Sequence, residues 1–362
     1  MTNWAQYRPK PMKFFPEDVD PDLCTHLIYA FASLEENKLV AVEWNEDETK
    51  SRKGLYKRVN RLRNKKPALK VLLSVGGWEF MSEPFSQMVS TAESRAVFVN
   101  TTVDFLRKRT FDGLDLHWEY PALRGGIPED RPRFTLLVKE LADAFRAETL
   151  STKTEKLLLT AAVGASKKII DTAYEPFEIE RELDFINVMT YNFHGAWDTE
   201  VGHHSPLYAE DGLSLSFAAD YLKSMGVPAS KLVIGVGTYG RHVILNSTTE
   251  HKIGTGVKKA GKRGNFTRDD GALAYFEICK VLRDEGLIIR EPKQHVPYYY
   301  KNRLWLGYDD AESLQEKVRY IKENHYGGVM IWTLDMDDFN GLQCEEGTYP
   351  LVKAIIEECK KF

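Results

Sequence analysis

The residues best suited to chemistry lie in one short stretch, Phe111–Pro121, with the sequence FDGLDLHWEYP. If this stretch is a strand, Asp115, His117 and Glu119 point to one side, because successive side chains of a strand alternate. Carboxyl groups and an imidazole are the groups that proteins use for proton transfer. Burying three ionisable side chains is costly, so a purely space-filling role is disfavoured against a functional one.

A metal site is a second interpretation of the same stretch. His117 and Glu119 share a face, and His194 is a candidate third ligand. A catalytic zinc site needs three well-placed protein ligands. No spacing motif supports such a set, so we predict neither a metal nor another cofactor.

The elements that position these residues alternate between short apolar runs and longer amphipathic stretches. The predicted strands are Thr25–Ala32, Leu69–Gly77, Phe111–Tyr120, Lys156–Gly164, Asp184–Asn192, Lys231–Gly240 and Gly327–Asp335. The predicted helices between them are Phe98–Arg109, Arg133–Glu148, Ser216–Gly226 and Glu312–His325. Such alternation predicts an α/β protein with a parallel sheet buried on both faces. With a truncated strand at the N-terminus the strands number eight, which predicts a (β/α)8 TIM barrel.

One segment interrupts this alternation. Between the last two predicted strands, Arg241–Tyr308 contains short β-like runs and a predicted helix at Leu273–Asp284. We predict a small α+β insertion domain at 241–308, with the barrel formed by 1–240 and 309–362. The basic cluster Lys258–Arg263, KKAGKR, is either a solvated loop or a site for sulfated polysaccharide.

Composition argues against several classes of protein. Forty-nine basic and 53 acidic residues give a net charge of −4, which offers no basis for nucleic acid or an anionic membrane as partner. No apolar run approaches the ~18 residues of a membrane span. The four cysteines are too few for a disulfide scaffold. The first residues show no basic segment followed by an apolar one, so no signal peptide is visible.

The stretch FDGLDLHWEYP resembles the signature of glycoside hydrolase family 18, the chitinases and chitinase-like lectins, which is Asp-x-x-Asp-x-Asp-x-Glu on the fourth barrel strand. The resemblance extends along the whole chain and includes the insertion. The further matching segments are TNWAQYRP, IYAFA, LLSVGGW, MTYNFHGAW, GVGTYGR, GGVMIWTLDMDDF, FEIC and GLQCEEGTYPL. The resemblance implies the barrel fold and retaining hydrolysis of β-1,4-linked N-acetylglucosamine. In that chemistry the acetamide oxygen of the substrate is the nucleophile.

The resemblance also implies roles for single residues. Glu119 is the general acid, Asp115 is the inner buffering carboxylate, and Asp112 at the strand entrance is structural. Tyr191, two residues after Met189 in the sixth-strand motif, would bond the acetamide oxygen. The third Asp of the signature would stabilise the cationic oxazolinium intermediate.

Two positions depart from the family pattern. His117 replaces the third Asp, and Asn192 replaces the Asp of the Met-x-Tyr-Asp motif. A neutral imidazole offers only a dipole to the developing cation, and an imidazolium repels it. A charged His117 would also keep Glu119 ionised by lowering its pKa. We therefore expect hydrolysis to be weakened or lost while the sugar cleft persists.

The aromatic residues that line the cleft in relatives are present. Flat aromatic surfaces receive the apolar faces of sugar rings. Trp332 would form the floor under the reacting sugar, and Tyr239 and Arg241 would donate hydrogen bonds to the ligand. The other aromatic residues assigned to the cleft are Trp78, Trp197, Tyr120, Phe31, Trp4 and Tyr7.

The cysteines bear on compartment. Cys279 and Cys344 match positions that are paired in animal relatives, so we predict one disulfide, with Cys24 and Cys359 free. The paired positions and three N-x-Ser/Thr triplets, at Asn100, Asn246 and Asn265, favour an extracellular, secreted protein. We expect a monomer.

The leading hypothesis is a chitinase-like protein that binds chitin or chito-oligosaccharides and hydrolyses them poorly or not at all. The alternative is an active retaining endochitinase that tolerates His117, since Glu119 is kept. A third class is a protein-interaction role on the same scaffold, with sugar binding incidental.

Overall fold

The computed structural model describes residues 1–361, which fall into two compact units. Each unit draws on separate parts of the chain. The first comprises Met1–Asn3, Phe15–Val188 and Leu222–Leu232; the second comprises Trp4–Phe14, Met189–Tyr221 and the described residues from Val233 onward. The helix α7 (Leu215–Ser224) contains one of the chain positions at which the units divide.

The first unit is built on a mostly parallel sheet. Its strands are β1 (His26–Glu35), β2 (Lys38–Val40), β3 (Lys70–Gly76), β4 (Gly113–His117), β5 (Leu158–Gly164) and β6 (Phe185–Met189, in the second unit from Met189). Strands β1, β3, β4 and β5 pair in that order and in parallel, while β2 pairs antiparallel with β1. Its helices are α1 (Leu55–Asn60), α2 (Glu83–Val89), α3 (Ala92–Arg109), α4 (Asp130–Thr152), α5 (Lys167–Ala173) and α6 (Pro176–Glu180).

The strand β4 lies inside this sheet, and all five of its residues are buried. Its neighbours are β3 and β5, so the side chains of β4 meet those of two flanking strands. The predicted strand Phe111–Tyr120 is too long, because β4 ends at His117. Glu119 therefore follows the strand instead of lying within it.

The second unit holds a parallel pair and an antiparallel sheet. Strand β7 (Leu232–Gly237) pairs in parallel with β14 (Gly328–Trp332) from Val233 onward. The antiparallel sheet contains β8 (Tyr239–Leu245), β9 (Val257–Ala260), β10 (Ala272–Ala274), β11 (Leu287–Glu291), β12 (Val296–Lys301) and β13 (Leu304–Gly307). The remaining helices are α8 (Tyr275–Leu282), α9 (Ala311–Glu323) and α10 (Pro350–Lys360).

Side-chain alternation explains how β12 builds the core of the antiparallel sheet. Tyr298 and Tyr300 pack with Trp305 in one cluster, and Tyr299 packs with Ile278 and other residues in a second cluster. Successive residues of a strand face opposite sides, so one tyrosine-rich strand serves two cores. The sheet spans most of the predicted insertion, whose status as a separate domain at 241–308 stays a prediction.

The chain start pairs with β1 over only a few residues. Thr2 forms an isolated parallel bridge with Ala30, and the amide of Asn3 donates to the Ala30 carbonyl at 2.7 Å. The segment assigned to the first barrel strand is thus reduced to a single bridge. No helix within residues 1–361 is both long and apolar enough to cross a bilayer.

Candidate functional site

The carboxylate of Asp115 is buried and fully engaged by neighbouring strands of the first unit. It accepts hydrogen bonds from the hydroxyls of Ser74 and Thr160, both at 2.7 Å, and from the Asn187 amide at 3.1 Å. Side chains on β3, β5 and β6 therefore satisfy a group that burial alone would penalise. These three partners could not be predicted from the sequence, because only the pairing of the strands brings them to Asp115.

His117 and Glu119 form a close pair at the end of β4. The distance from His117 Nε2 to Glu119 Oε1 is 3.0 Å, and the two side chains are only 6% and 12% exposed. The Phe31 ring meets the imidazole edge-on, with centroids 4.9 Å apart. The predicted juxtaposition of His117 and Glu119 is present although Glu119 lies beyond the strand.

The electrostatics of this pair favour its charged form. Burial by itself would lower the pKa of His117, but the hydrogen bond to Glu119 and the charges of Glu119 and Asp115 raise it above its ordinary value. Burial would raise the pKa of Glu119, but the hydrogen bond and charge of His117, aided by Tyr120 and Arg124, lower it. Both shifts describe an imidazolium beside a carboxylate. Glu119 in this state is a poor proton donor.

The structure adds Arg124 to the surroundings of Glu119. Its guanidinium donates to the carbonyl oxygens of Trp78, at 2.8 Å, and Glu119, at 3.1 Å. It also lies 3.2 Å from the centroid of the Trp78 indole, whose residue is 53% exposed. Arg124 thus holds an exposed aromatic surface near the motif loop. Nothing in the residue pattern singles it out, since it follows the motif in an ordinary loop.

Two further residues of the first unit were predicted from the sequence to be functional or structural, Tyr120 and Asp112, and they have different surroundings. Tyr120 is partly exposed, and burial followed by the charge of Glu119 raises its pKa well above the ordinary value. Asp112 pairs with Arg63 at 2.7 Å and accepts from the Val71 amide at 2.7 Å. These contacts tie the start of β4 to its neighbours, and the structural role of Asp112 stays a prediction.

In the second unit Asn192 is the centre of a polar cluster. The Tyr239 hydroxyl donates to Asn192 Oδ1 at 2.8 Å, and Arg241 Nε donates to the same oxygen at 3.0 Å. The guanidinium of Arg241 lies 5.2 Å from the centroid of the Trp197 indole, and Trp197 is 57% exposed. Asn192 is exposed and has φ 58°, a left-handed conformation that asparagine tolerates. We call Asn192, Arg241, Tyr239 and Trp197 the Asn192 cluster.

Two further aromatic groups belong to the second unit. Tyr191 follows the buried Met189, and its hydroxyl lies 3.8 Å from the sulfur of Met330. Trp332 ends β14, and its ring lies 6.3 Å from that of Trp4. Trp4 and Tyr7 are 44% and 52% exposed. Exposed aromatic surfaces of this kind suit the apolar faces of sugars.

The described residues do not assemble a metal centre. No group of three or more His, Cys, Asp or Glu side chains within residues 1–361 has the arrangement of a cation site. His194 instead contacts the carboxylates of Asp198 and Asp211, each at 3.2 Å. The metal interpretation of His117, Glu119 and His194 has no support from these contacts.

Comparison with known proteins assigns the family. The model of the glycosyl hydrolases family 18 matches residues 1–337. The chain belongs to family 18. Over 365 residues it is 43% identical to chitotriosidase-1 of Mus musculus, a match covering 99% of this chain and 76% of that protein.

Other family 18 members extend this likeness to structure. A solved structure of human YKL-39, described as "a pseudo-chitinase with retained chitooligosaccharide binding properties", is 41% identical with a TM-score of 0.92. That match covers 99% of this chain and 98% of the other. The oviduct-specific glycoprotein of Mus musculus is 43% identical, but this chain spans only 49% of its length. The (β/α)8 fold predicted from the strand–helix alternation is thereby confirmed.

The ion pair between His117 and Glu119 makes a testable prediction about titration. In the wild type we expect His117 to titrate above its ordinary pKa of 6.5, because Glu119 favours the charged ring. In Glu119→Gln the pKa should fall below that of the wild type, since burial remains while the charged partner is lost. Nitrogen chemical shifts of the imidazole, followed by NMR against pH, measure both values.

The pair also has a defined pH window. The stabilisation from the raised His117 pKa is full below the unfolded value of 6.5 and is lost as pH rises through the folded pKa. The stabilisation from the lowered Glu119 pKa is full above 4.5 and is lost as pH falls through the folded pKa. Both contributions are therefore full between pH 4.5 and pH 6.5. Identical titration of His117 in the wild type and in Glu119→Gln would refute the ion pair.

Proposed function

We propose that this family 18 member is a chitinase-like protein that binds chitin or chito-oligosaccharides and hydrolyses them weakly or not at all. Exposed indoles in both units, at Trp78, Trp197 and Trp4, support the binding part of the proposal. The likeness to YKL-39, described as retaining chitooligosaccharide binding, supports it further.

The contact between His117 and Glu119 carries the second part of the proposal. The chemistry implied by the family needs a protonated Glu119 to release the leaving oxygen. An imidazolium 3.0 Å away favours the ionised carboxylate instead. The same positive charge also repels the oxazolinium cation that the missing Asp would stabilise. His117 in place of the third Asp therefore opposes both protonation of the leaving oxygen by Glu119 and stabilisation of the oxazolinium cation.

An active endochitinase is the second candidate. The retained Glu119 favours it, since this carboxyl group is kept where the signature places the general acid. In that case turnover should appear at acid pH, where the lowered pKa of Glu119 is passed and the group is protonated.

One experiment separates the two candidates. Chitohexaose is incubated with the pure protein from acid to alkaline pH, and the products are identified by mass spectrometry. Intact hexasaccharide at every pH supports the binding protein. Rapid and complete conversion to shorter products, lost in Glu119→Gln, would establish the active endochitinase and overturn the proposal.

Binding itself is tested through Trp332. We predict that Trp332→Ala weakens chitohexaose binding at least about 10-fold, because buried aromatic anchors dominate affinity. Isothermal titration calorimetry measures the change. Trp44→Ala is the matched control, since Trp44 is 69% exposed and lies in a loop of the first unit with Arg52 stacked on it. Equal affinities of the two variants would contradict the assignment of Trp332 to the ligand.

The disulfide bears on the compartment of the protein. We propose an extracellular protein, because disulfides persist in oxidising compartments and Cys279–Cys344 is formed. The third class of function, protein interaction with incidental sugar binding, requires that a biological effect survive in Trp332→Ala after sugar binding is lost.

A further inference from the structure

We propose that the Asn192 cluster selects N-acetylglucosamine chains that carry an anionic substituent, a carboxylate or a sulfate, over neutral chains. This inference rests on the proposed function, because it names a substrate class for the same sugar-binding protein. It is carried by the direction of the hydrogen bonds within the cluster.

The orientation of the Asn192 amide is set by its partners. The Nε–H of Arg241 can only donate, so the atom of Asn192 that lies 3.0 Å from it must be the acceptor oxygen. The Tyr239 hydroxyl, at 2.8 Å, donates to the same oxygen. Both bonds use Oδ1, and the Nδ2 amide group makes no hydrogen bond to residues 1–361. The exposed end of Asn192 therefore presents two N–H donors.

Arg241 adds further donors and a positive charge. Its Nε is used by Asn192, while its terminal nitrogens have no hydrogen-bond partner in the described part of the protein. The guanidinium packs near the exposed Trp197 indole, which itself lies over Gly195. A Cβ at Gly195 would lie only 2.5 Å from carbons of the Trp197 indole. The absence of a side chain at Gly195 therefore leaves room for the ring. A sugar stacked on Trp197 would therefore lie close to the hydrogen-bond donors of Arg241 and Asn192.

The Asn192 cluster contains no carboxylate that would neutralise the charge of Arg241. Asp198, the carboxylate next in sequence to Trp197, accepts instead from the Gly195 amide at 3.0 Å and contacts His194. The family motif has an Asp at position 192, which would place an acceptor and a negative charge beside Arg241. Asn192 removes both. A neutral hydroxyl can bind either arrangement, but a carboxylate or sulfate gains specifically from donors and positive charge.

The test compares ligands that differ in their anionic group. Chitotetraose, 6-O-sulfated chitotetraose and a hyaluronan tetrasaccharide, which alternates N-acetylglucosamine with a uronic acid, are titrated calorimetrically at low ionic strength. We expect at least one anionic ligand to bind about 10-fold more tightly than chitotetraose, equivalent to about 1.4 kcal/mol. The sulfated and carboxylated probes show which anion is preferred. In Asn192→Asp, which keeps the bonds to Tyr239 and Arg241, the preference should disappear.

A control variant excludes binding elsewhere. The basic cluster Lys258–Arg263 would attract any polyanion, so its four basic residues are replaced by alanine. Preference that survives in this variant and is lost in Asn192→Asp supports the inference. The inference is overturned if the preference is lost in the alanine variant but survives in Asn192→Asp, or if all three ligands bind with equal affinity. If chitotetraose binds without any anionic preference, only the inference fails; if no ligand binds, the proposed function fails with it.

Discussion

His117→Asp should raise the rate of chitohexaose hydrolysis by about 10²–10³, the usual effect of one preorganised electrostatic partner. The substitution removes the imidazole whose Nε2 lies 3.0 Å from Glu119 Oε1, and with it the contact that lowers the pKa of Glu119. It also returns a negative charge to the place where the family stabilises a cation. Product formation measured by mass spectrometry, in single-turnover as well as steady-state conditions, gives the change in rate.

Two companion variants separate the causes. His117→Asn removes the positive charge without supplying a carboxylate, so it should recover less activity than His117→Asp. The double change His117→Asp with Glu119→Gln should be inactive, which would show that any gain depends on the general acid. Unchanged turnover in His117→Asp would mean that His117 is not what weakens hydrolysis, which would contradict the proposed function.

Removal of the Cys279–Cys344 disulfide should lower the free energy of unfolding by about 4 kcal/mol at 25 °C. The two cysteines are 65 residues apart, and a closed loop of that length restricts the unfolded chain strongly. The bond joins α8 to the segment before α10, both in the second unit. Guanidinium denaturation of Cys279→Ser/Cys344→Ser measures the loss.

Cys359→Ser is the matched control for this change. Cys359 is free and exposed, so its replacement removes a thiol without opening a loop. We expect an unfolding midpoint equal to that of the wild type. If the double variant also unfolds at the wild-type midpoint, the disulfide does not contribute to the stability of the folded protein.

The sequence alone determined the fold class, because its signals are local and repeated. Near-continuous apolar runs such as Leu69–Gly77 correspond to buried strands, here β3, with ends that differ by one residue. The segment Phe111–Pro121, together with the other segments that match the family pattern, identified the family. The disulfide and the two free cysteines were also predicted correctly, from the resemblance.

The candidate site was only partly accessible from the sequence. Alternation along the predicted strand placed Asp115, His117 and Glu119 on one side, and the resemblance assigned a role to Glu119. The predicted strand nevertheless ran past its true end at His117, since strand ends depend on pairing with neighbours. The partners Ser74, Thr160 and Asn187 of Asp115 come from distant segments that the tertiary structure brings together.

The tertiary structure decided the charge state and the hydrogen-bond directions. A histidine two residues from a glutamate does not by itself form an ion pair. Here the distance of 3.0 Å between Nε2 and Oε1 favours the charged forms and outweighs the opposing effect of burial. Likewise, Asn192 in the sequence presents either a donor or an acceptor. The positions of Arg241 and Tyr239 decide which it presents. Arg241 Nε–H can only donate, so the Asn192 oxygen faces these two residues as their acceptor.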